Sequence, residues 1–180
     1  GVTLHGRTLG LLGLGRMGKR MAELGSALGM HVLAWSANLT PERAEAAGAT
    51  QVSKETLFRE SDVVSVHLVL GERTRGLVGA AEFALMKPSA FLVNTSRGPI
   101  VDEAALIAAL RERRIAGAGL DVYDVEPLPA DHPLRTLDTV VLAPHLGFVT
   151  EGTYGVFYKD MVECIAAWCA GAPVRLLRAD

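Results

Sequence analysis

Short apolar runs alternate with helical patterns along this chain, and that alternation limits its fold more than any other feature. Leu9 to Leu12, His31 to Trp35, Val63 to Val69, Ala90 to Val93, Ile115 to Val122 and Thr139 to Ala143 read as strands, with a short extended piece near Thr50-Gln51-Val52. Between the first two, Met17, Met21, Leu24 and Leu28 repeat at helical spacing and stop at Gly29, a C-terminal cap. Thr40 and Pro41 open a short helix to Ala47, and another runs from Ser53 to Arg59. Ala80 to Met86 is closed by Lys87-Pro88, and Asp102 caps a helix carrying Leu106, Ile107 and Leu110. A long helix from Thr150 presents Phe157, Met161, Ile165 and Trp168 as its expected buried stripe, ended by Ala172-Pro173. Strands alternating with helices imply a parallel sheet covered on both faces, whose strands read as continuous apolar runs. The expected fold is α/β, a Rossmann-type doubly wound parallel sheet in three layers. Ligands of such sheets bind beyond the carboxyl ends of the strands.

Bulk properties exclude several classes of function. At 180 residues the chain suits one domain with a proper core. Its net charge of -2 and scattered Lys and Arg leave no basic stripe for nucleic acid or an anionic membrane. No apolar run approaches the roughly 20 residues of a spanning helix. The opening GVTLHGRTLG lacks the basic start and apolar core of a signal peptide. Cys164 and Cys169, on one predicted helix, point about 140° apart, which argues against a mutual disulfide, and two thiols make no metal set. A reduced, cytoplasmic setting fits best.

The first strand and helix flank "LGLLGLGRMGKRMAEL", in which Gly13, Gly15 and Gly18 have the G-x-G-x-x-G spacing in the context this motif needs. Gly13 allows the tight turn, Gly15 lets the backbone approach a pyrophosphate, and Gly18 permits close helix–strand packing. Arg16 and Met17 sit within the loop and are candidates for the same cofactor contact. The helix start offers N–H groups and a partial positive charge to phosphates. The second strand ends in Ser36-Ala37-Asn38, where an NAD site usually has a carboxylate for the ribose hydroxyls. Ser36, Asn38 and Thr40 could donate to a 2'-phosphate, with Arg43 near in sequence. The cofactor reading therefore leans to NADP over NAD, the alternative being a relaxed site that accepts either.

The run "NTSRGPIVDEAAL" places Arg97 just past an apolar strand. Alone, that arginine is as compatible with a solvated loop or an ion pair as with an anion clamp. Two further segments bear on it: "GLDVYDVEP" from Gly119 to Pro127, and "APHLG" from Ala143 to Gly147. With these, and with the glycine loop in the same order, the chain strongly resembles the D-isomer-specific 2-hydroxyacid dehydrogenases over nearly its whole length.

The resemblance implies a catalytic set of Arg97, Glu126 and His145. His145 would be the general acid that protonates the alkoxide left by hydride transfer, or the base in oxidation. Glu126 would orient the imidazole, and Arg97 would hold the substrate carboxylate in its fork. Asp121 would contact the nicotinamide side, and His67, Leu68 and Thr74 would line the adenine and ribose path. Thr95, Ser96 and Gly147 complete the expected cofactor contacts, and no metal is expected. The substrate would be a small 2-keto or 2-hydroxy acid. Family members have two domains, so residues 1–180 read as the dinucleotide-binding domain, with the substrate domain absent from this chain and little activity expected from it alone. A homodimer through the cofactor domain is also implied, and the exposed-looking Leu128, Leu134 and Leu137 of "DVEPLPADHPLRTL" fit such a contact. The competing reading is a dinucleotide-sensing or corepressor-like binding module of the same fold.

Overall fold

The structure is a computed structural model that describes residues 1–177. It comprises two compact units, Gly1–His145 and a second that begins at Leu146. The first unit holds β1 (Thr8–Leu12), α1 (Arg16–Ala27), β2 (His31–Trp35), α2 (Pro41–Glu45), β3 (Thr50–Gln51) and α3 (Lys54–Glu60). It continues with β4 (Val63–Val66), α4 (Ala80–Leu85), β5 (Phe91–Asn94), α5 (Glu103–Arg111), β6 (Gly117–Leu120) and β7 (Val140–Leu142). The strands form one sheet in the order β3-β2-β1-β4-β5-β6-β7, and every neighbouring pair is parallel.

Alternation along β1 shows how the layers arise. Leu9 and Leu11 join a core cluster with Ala22 of α1 and Val32 of β2. Leu12 joins the other cluster, with Leu57 and Phe58 of α3, Phe83 of α4 and Leu110 of α5. Successive side chains of a strand point to opposite faces, so the sheet is covered by helices on both, as the expected three-layer doubly wound fold requires. The order of the strands reverses between β1 and β4, which creates the crevice where ligands of such sheets bind.

Three expectations for this unit are corrected. The stripe expected to bury α1 is largely exposed at Met17, Leu24 and Leu28, and the helix instead packs through Gly18, Ala22 and Gly25. The approach is so close that a Cβ on Gly25 would lie 2.7 Å from Leu9 Cδ2, so only small residues fit. The fourth strand ends at Val66, not Val69, because the Thr74 hydroxyl draws the Val69 carbonyl into a turn. Leu128 and Leu134 are buried and Leu137 packs against the same core, so they are not exposed contact residues. The 3₁₀ turn Pro133–Thr136 and the Arg135 bonds to Leu128 O and Pro129 O fold that Pro-rich loop inward.

The second unit contains α6 (Glu151–Cys169), capped by Thr150, whose side chain accepts from Thr153 N–H. Its expected buried stripe is exposed, with Phe157 51%, Met161 53%, Ile165 58% and Trp168 73% accessible. Among the described residues α6 is the only helix of its unit, so no second element of that unit covers the stripe. Cys164 and Cys169 are unbridged. Among the described residues, no helix is long and apolar enough to cross a membrane, and no His, Cys, Asp and Glu group suits a metal ion.

Asp62 ties the central strands together at their amino ends. It accepts from Thr8 N–H at 2.8 Å, Lys87 Nζ at 3.1 Å and Arg7 Nη1 at 3.5 Å. Burial pushes its carboxyl up, but the Thr8 N–H and the Lys87 ammonium outweigh that and hold it below the ordinary 3.8. A depressed folded-state value means a stabilising contribution present above the ordinary value and lost as pH falls through the folded one. Asp62→Asn is expected to lower stability in urea unfolding at pH 7 by about 1–2 kcal/mol, from loss of charge-assisted bonds. The gap to wild type should close as pH falls below 3.8.

Candidate active site and cofactor groove

The glycine loop folds because its positions demand glycine. Gly13 has φ 101°, and its N–H donates to Trp35 O at 2.8 Å. A Cβ there would lie 2.6 Å from His67 O, and one on Gly18 would lie 2.1 Å from Gly13 O. Gly15 differs: a Cβ on it would meet nothing within 4 Å. It faces open space at the start of α1, whose first turn has no side-chain cap and no acidic residue. Uncapped N–H groups beside an open cradle suit a pyrophosphate, so the residues present fit a dinucleotide. Arg16 and Met17 form the exposed first turn above it.

Two cavities lie on this rim. One, of about 310 Å³, is lined by Met17, Met21, His67, Leu68, Thr95 and Ser96. The other, of about 260 Å³, is lined by Trp35, Ser36, Asn38, Leu68 and Thr74, among others. Leu68 and Val69 belong to both, so the two sit side by side. His67 lines the first cavity and Thr74 the second, with Leu68 between them in both. Burial pushes the His67 imidazole below its ordinary 6.5, so it is neutral at pH 7, with Nε2 2.9 Å from Ser65 Oγ. The Thr74 hydroxyl is committed to its own loop, donating to Val69 O at 2.7 Å and accepting from Gly71 N–H at 2.9 Å.

Arg97 is presented by a braced turn. Asn94 is 1% exposed at the end of β5, and its side chain accepts from Ser96 N–H at 3.0 Å and donates to Arg97 O at 2.9 Å. Ser96 Oγ donates to Leu68 O at 2.5 Å. The Arg97 side chain is exposed, and Nη1 donates to Ser96 O at 2.7 Å. The next residue allows no side chain, since a Cβ on Gly98 would lie 2.1 Å from the Tyr123 carbonyl carbon. That contact presses the Arg97 turn against the loop after β6.

This second loop carries Glu126. Its Oε1 accepts from Tyr123 N–H at 3.0 Å, and its Oε2 lies 2.7 Å from His145 Nδ1. The Glu126–Pro127 peptide is cis. Partial burial pushes the Glu126 carboxyl up, but the hydrogen bonds from His145 and Tyr123 and the charges of His145 and Arg97 bring it below its ordinary 4.5. Glu126 and His145 share a cavity of about 640 Å³ with Tyr123, Pro144 and others. His145 has φ 56°, in the left-handed region. The Tyr123 phenol, 5% exposed, donates to Ala143 O at 2.8 Å, with Leu120 O at 3.1 Å, and so pins the segment leading to His145. Burial, and then the Asp121 charge, push that phenol above its ordinary 10.0. Asp121 itself is buried just past β6, its N–H donating to Asn94 O at 3.0 Å.

The structure therefore brings Arg97, Glu126 and His145 onto one rim of the first unit. Gly147 belongs to the second unit, in a turn where Val149 N–H donates to Leu146 O. Sequence reasoning missed Asn94 and Tyr123, whose bonds brace the Arg97 turn and the Glu126–His145 pair. A polar residue ending an apolar strand was a visible signal for Asn94. Tyr123, three residues before Glu126, gave none, because its phenol bonds across to the β7 segment.

Residues 1–147 match the model of the D-isomer specific 2-hydroxyacid dehydrogenase NAD binding domain. A glyoxylate reductase of Aeropyrum pernix is 51% identical over 171 residues, covering 95% of this chain and 51% of that protein. A phosphoglycerate oxidoreductase from Vibrio cholerae superimposes with TM-score 0.90 at 37% identity, over 96% of this chain and 55% of the other. D-lactate dehydrogenase with NAD+ from Lactobacillus jensenii gives TM-score 0.82 at 30% identity, over 99% and 57%. The chain thus spans about half the length of the relatives it matches. A family match across the whole glycine loop, the Arg97 turn and the Glu126–His145 pair places this chain among the D-isomer specific 2-hydroxyacid dehydrogenases, as their NAD-binding domain.

Proposed function

We propose that residues 1–180 act as the dinucleotide-binding domain of an oxidoreductase that interconverts a 2-keto and a 2-hydroxy acid, with NADP favoured over NAD. The observation that carries this is the 2.7 Å contact of His145 Nδ1 with Glu126 Oε2, on the same rim as Arg97 and the glycine cradle. A bound nicotinamide would supply or accept the hydride. Glu126 holds the imidazole through Nδ1, and His145 is in this reading the group that gives a proton to the substrate oxygen in reduction and takes one from it in oxidation. Arg97 grips the substrate carboxylate with its planar fork and draws charge from the adjacent keto oxygen. The names of the relatives support a small 2-keto acid such as glyoxylate.

A separate substrate domain is part of the same proposal, since closing a site and excluding water needs a second wall. This chain alone should bind dinucleotide yet oxidise NADPH with glyoxylate or hydroxypyruvate only at trace rates; robust turnover in a spectrophotometric assay would overturn this. A cytoplasmic location and a homodimer complete the reading. With Leu128, Leu134 and Leu137 in the core, apolar contact would fall to exposed Val125 and to Val141 on the edge strand β7.

Two measurements test the site. Gly15→Val points into open space at the N-cap of α1, so circular dichroism should match wild type and melting should fall only slightly, while NADPH affinity by calorimetry falls at least about tenfold, the cradle being filled. Unchanged affinity would remove the pyrophosphate assignment. Carboxyl carbon shifts followed against pH should place Glu126 below 4.5, and His145→Ala should raise its value by removing a bond and a positive charge. Because the folded value is depressed, the stability this carboxylate contributes is present above 4.5 and lost as pH falls through the folded value.

A further inference from the structure

The carboxylate expected at the end of β2 is replaced by Ser36-Ala37-Asn38, and the structure shows what faces that gap. The 260 Å³ cavity there has Ser36 and Asn38 on one side and the loop after β4 on the other, with Arg73 and Thr74 on that loop. No carboxylate lines it, and Trp35 and Leu77 supply its apolar surface. The loop is a closed turn: Thr74 N–H donates to Gly71 O at 3.0 Å, and the Thr74 hydroxyl bridges Val69 O and Gly71 N–H. Its backbone therefore holds Arg73 at a set position on the cavity wall. Arg73 is exposed, and its guanidinium makes no hydrogen bond or ion pair with any described residue. Arg43, the arginine that sequence proximity suggested, does not line the cavity; its Nη1 donates to Asn38 O at 3.1 Å.

An uncommitted guanidinium, neutral donors and no opposing carboxylate, all at the ribose end of a dinucleotide crevice, are the chemistry that receives a phosphate monoester. We propose that Arg73 reads the 2'-phosphate of NADPH and is the main specificity-determining residue for cofactor choice, with Ser36 and Asn38 as neutral donors. This rests on the dinucleotide reading above. It moves the source of selectivity from the β2–α2 segment to the loop after β4.

The experiment is calorimetric titration of the whole chain with NADPH and NADH at two salt concentrations, for wild type, Arg73→Ala, Arg73→Lys and Arg43→Ala. Wild type should prefer NADPH, with an affinity that weakens with salt more than that of NADH. Arg73→Ala should lose about tenfold or more in NADPH affinity, as expected for a charge-assisted contact, and shift NADH less than threefold. Arg73→Lys should fall between, and Arg43→Ala should keep most of the preference. If Arg73→Ala weakens both cofactors equally, the guanidinium packs on the adenine and the 2'-phosphate role is overturned. An unchanged NADPH:NADH ratio in Arg73→Ala, or its collapse in Arg43→Ala alone, overturns it too, while the dinucleotide reading stands. Wild type that binds neither cofactor overturns the dinucleotide reading itself, and wild type that prefers NADH overturns the NADPH lean with it.

Discussion

A parallel strand cannot return its chain at the end where it finishes; a crossover must carry the chain back to the opposite end of the sheet before the next strand begins. With all seven strands parallel, their carboxyl ends share one rim. The glycine loop after β1, Ser36 after β2, His67 after β4, Arg97 after β5, Asp121 after β6 and His145 after β7 are thus neighbours by topology, though spread over more than a hundred residues. The helical layers and two core clusters keep that rim aligned. The clustering of these residues is a by-product of strand direction, and it persists only while the sheet stays buried on both faces.

Shared direction puts the loops near one another without setting their spacing. That is done by contacts too tight for larger groups. Gly13 and Gly18 press the start of α1 onto the β1 turn, and Gly98 presses the Arg97 turn onto the Tyr123 backbone. Buried polar groups then fix the loops: Asn94 bridges Ser96 and Arg97, and Tyr123 joins the Glu126 carboxylate to the segment before His145. A buried donor left without its partner costs free energy, so each brace resists being released. The site residues are mostly exposed or half-buried, while the residues that aim them are buried.

Much of this was legible in the residues themselves. Strands buried on both faces are continuous apolar runs, so six of the seven segments stood out, and Thr40 and Asp102 cap helices as expected. The grouping of Arg97, Glu126 and His145 was implied by the family resemblance. What could not be read was distance. Helical periodicity assigns the larger apolar residues of α1 to the core, but the helix lies so near β1 that Gly18, Ala22 and Gly25 take that face. A Pro-rich stretch looks solvated, yet Arg135 pins it to its own carbonyls and turns Leu128 and Leu134 inward. Arg73 carried no local signal, since its importance depends on a loop that folds toward the end of a different strand.

One backbone angle has a consequence for how this rim could evolve. At φ 56°, residue 145 occupies a region that costs an L-residue about 1 kcal/mol or more. The imidazole's aim is therefore written into the main chain and not only into a side-chain rotamer. Glycine is the residue that would sit there without penalty, and it would remove the imidazole that meets Glu126; a β-branched residue would be opposed by the backbone. Drift toward a relaxed main chain and retention of the imidazole beside Glu126 pull this position in opposite directions.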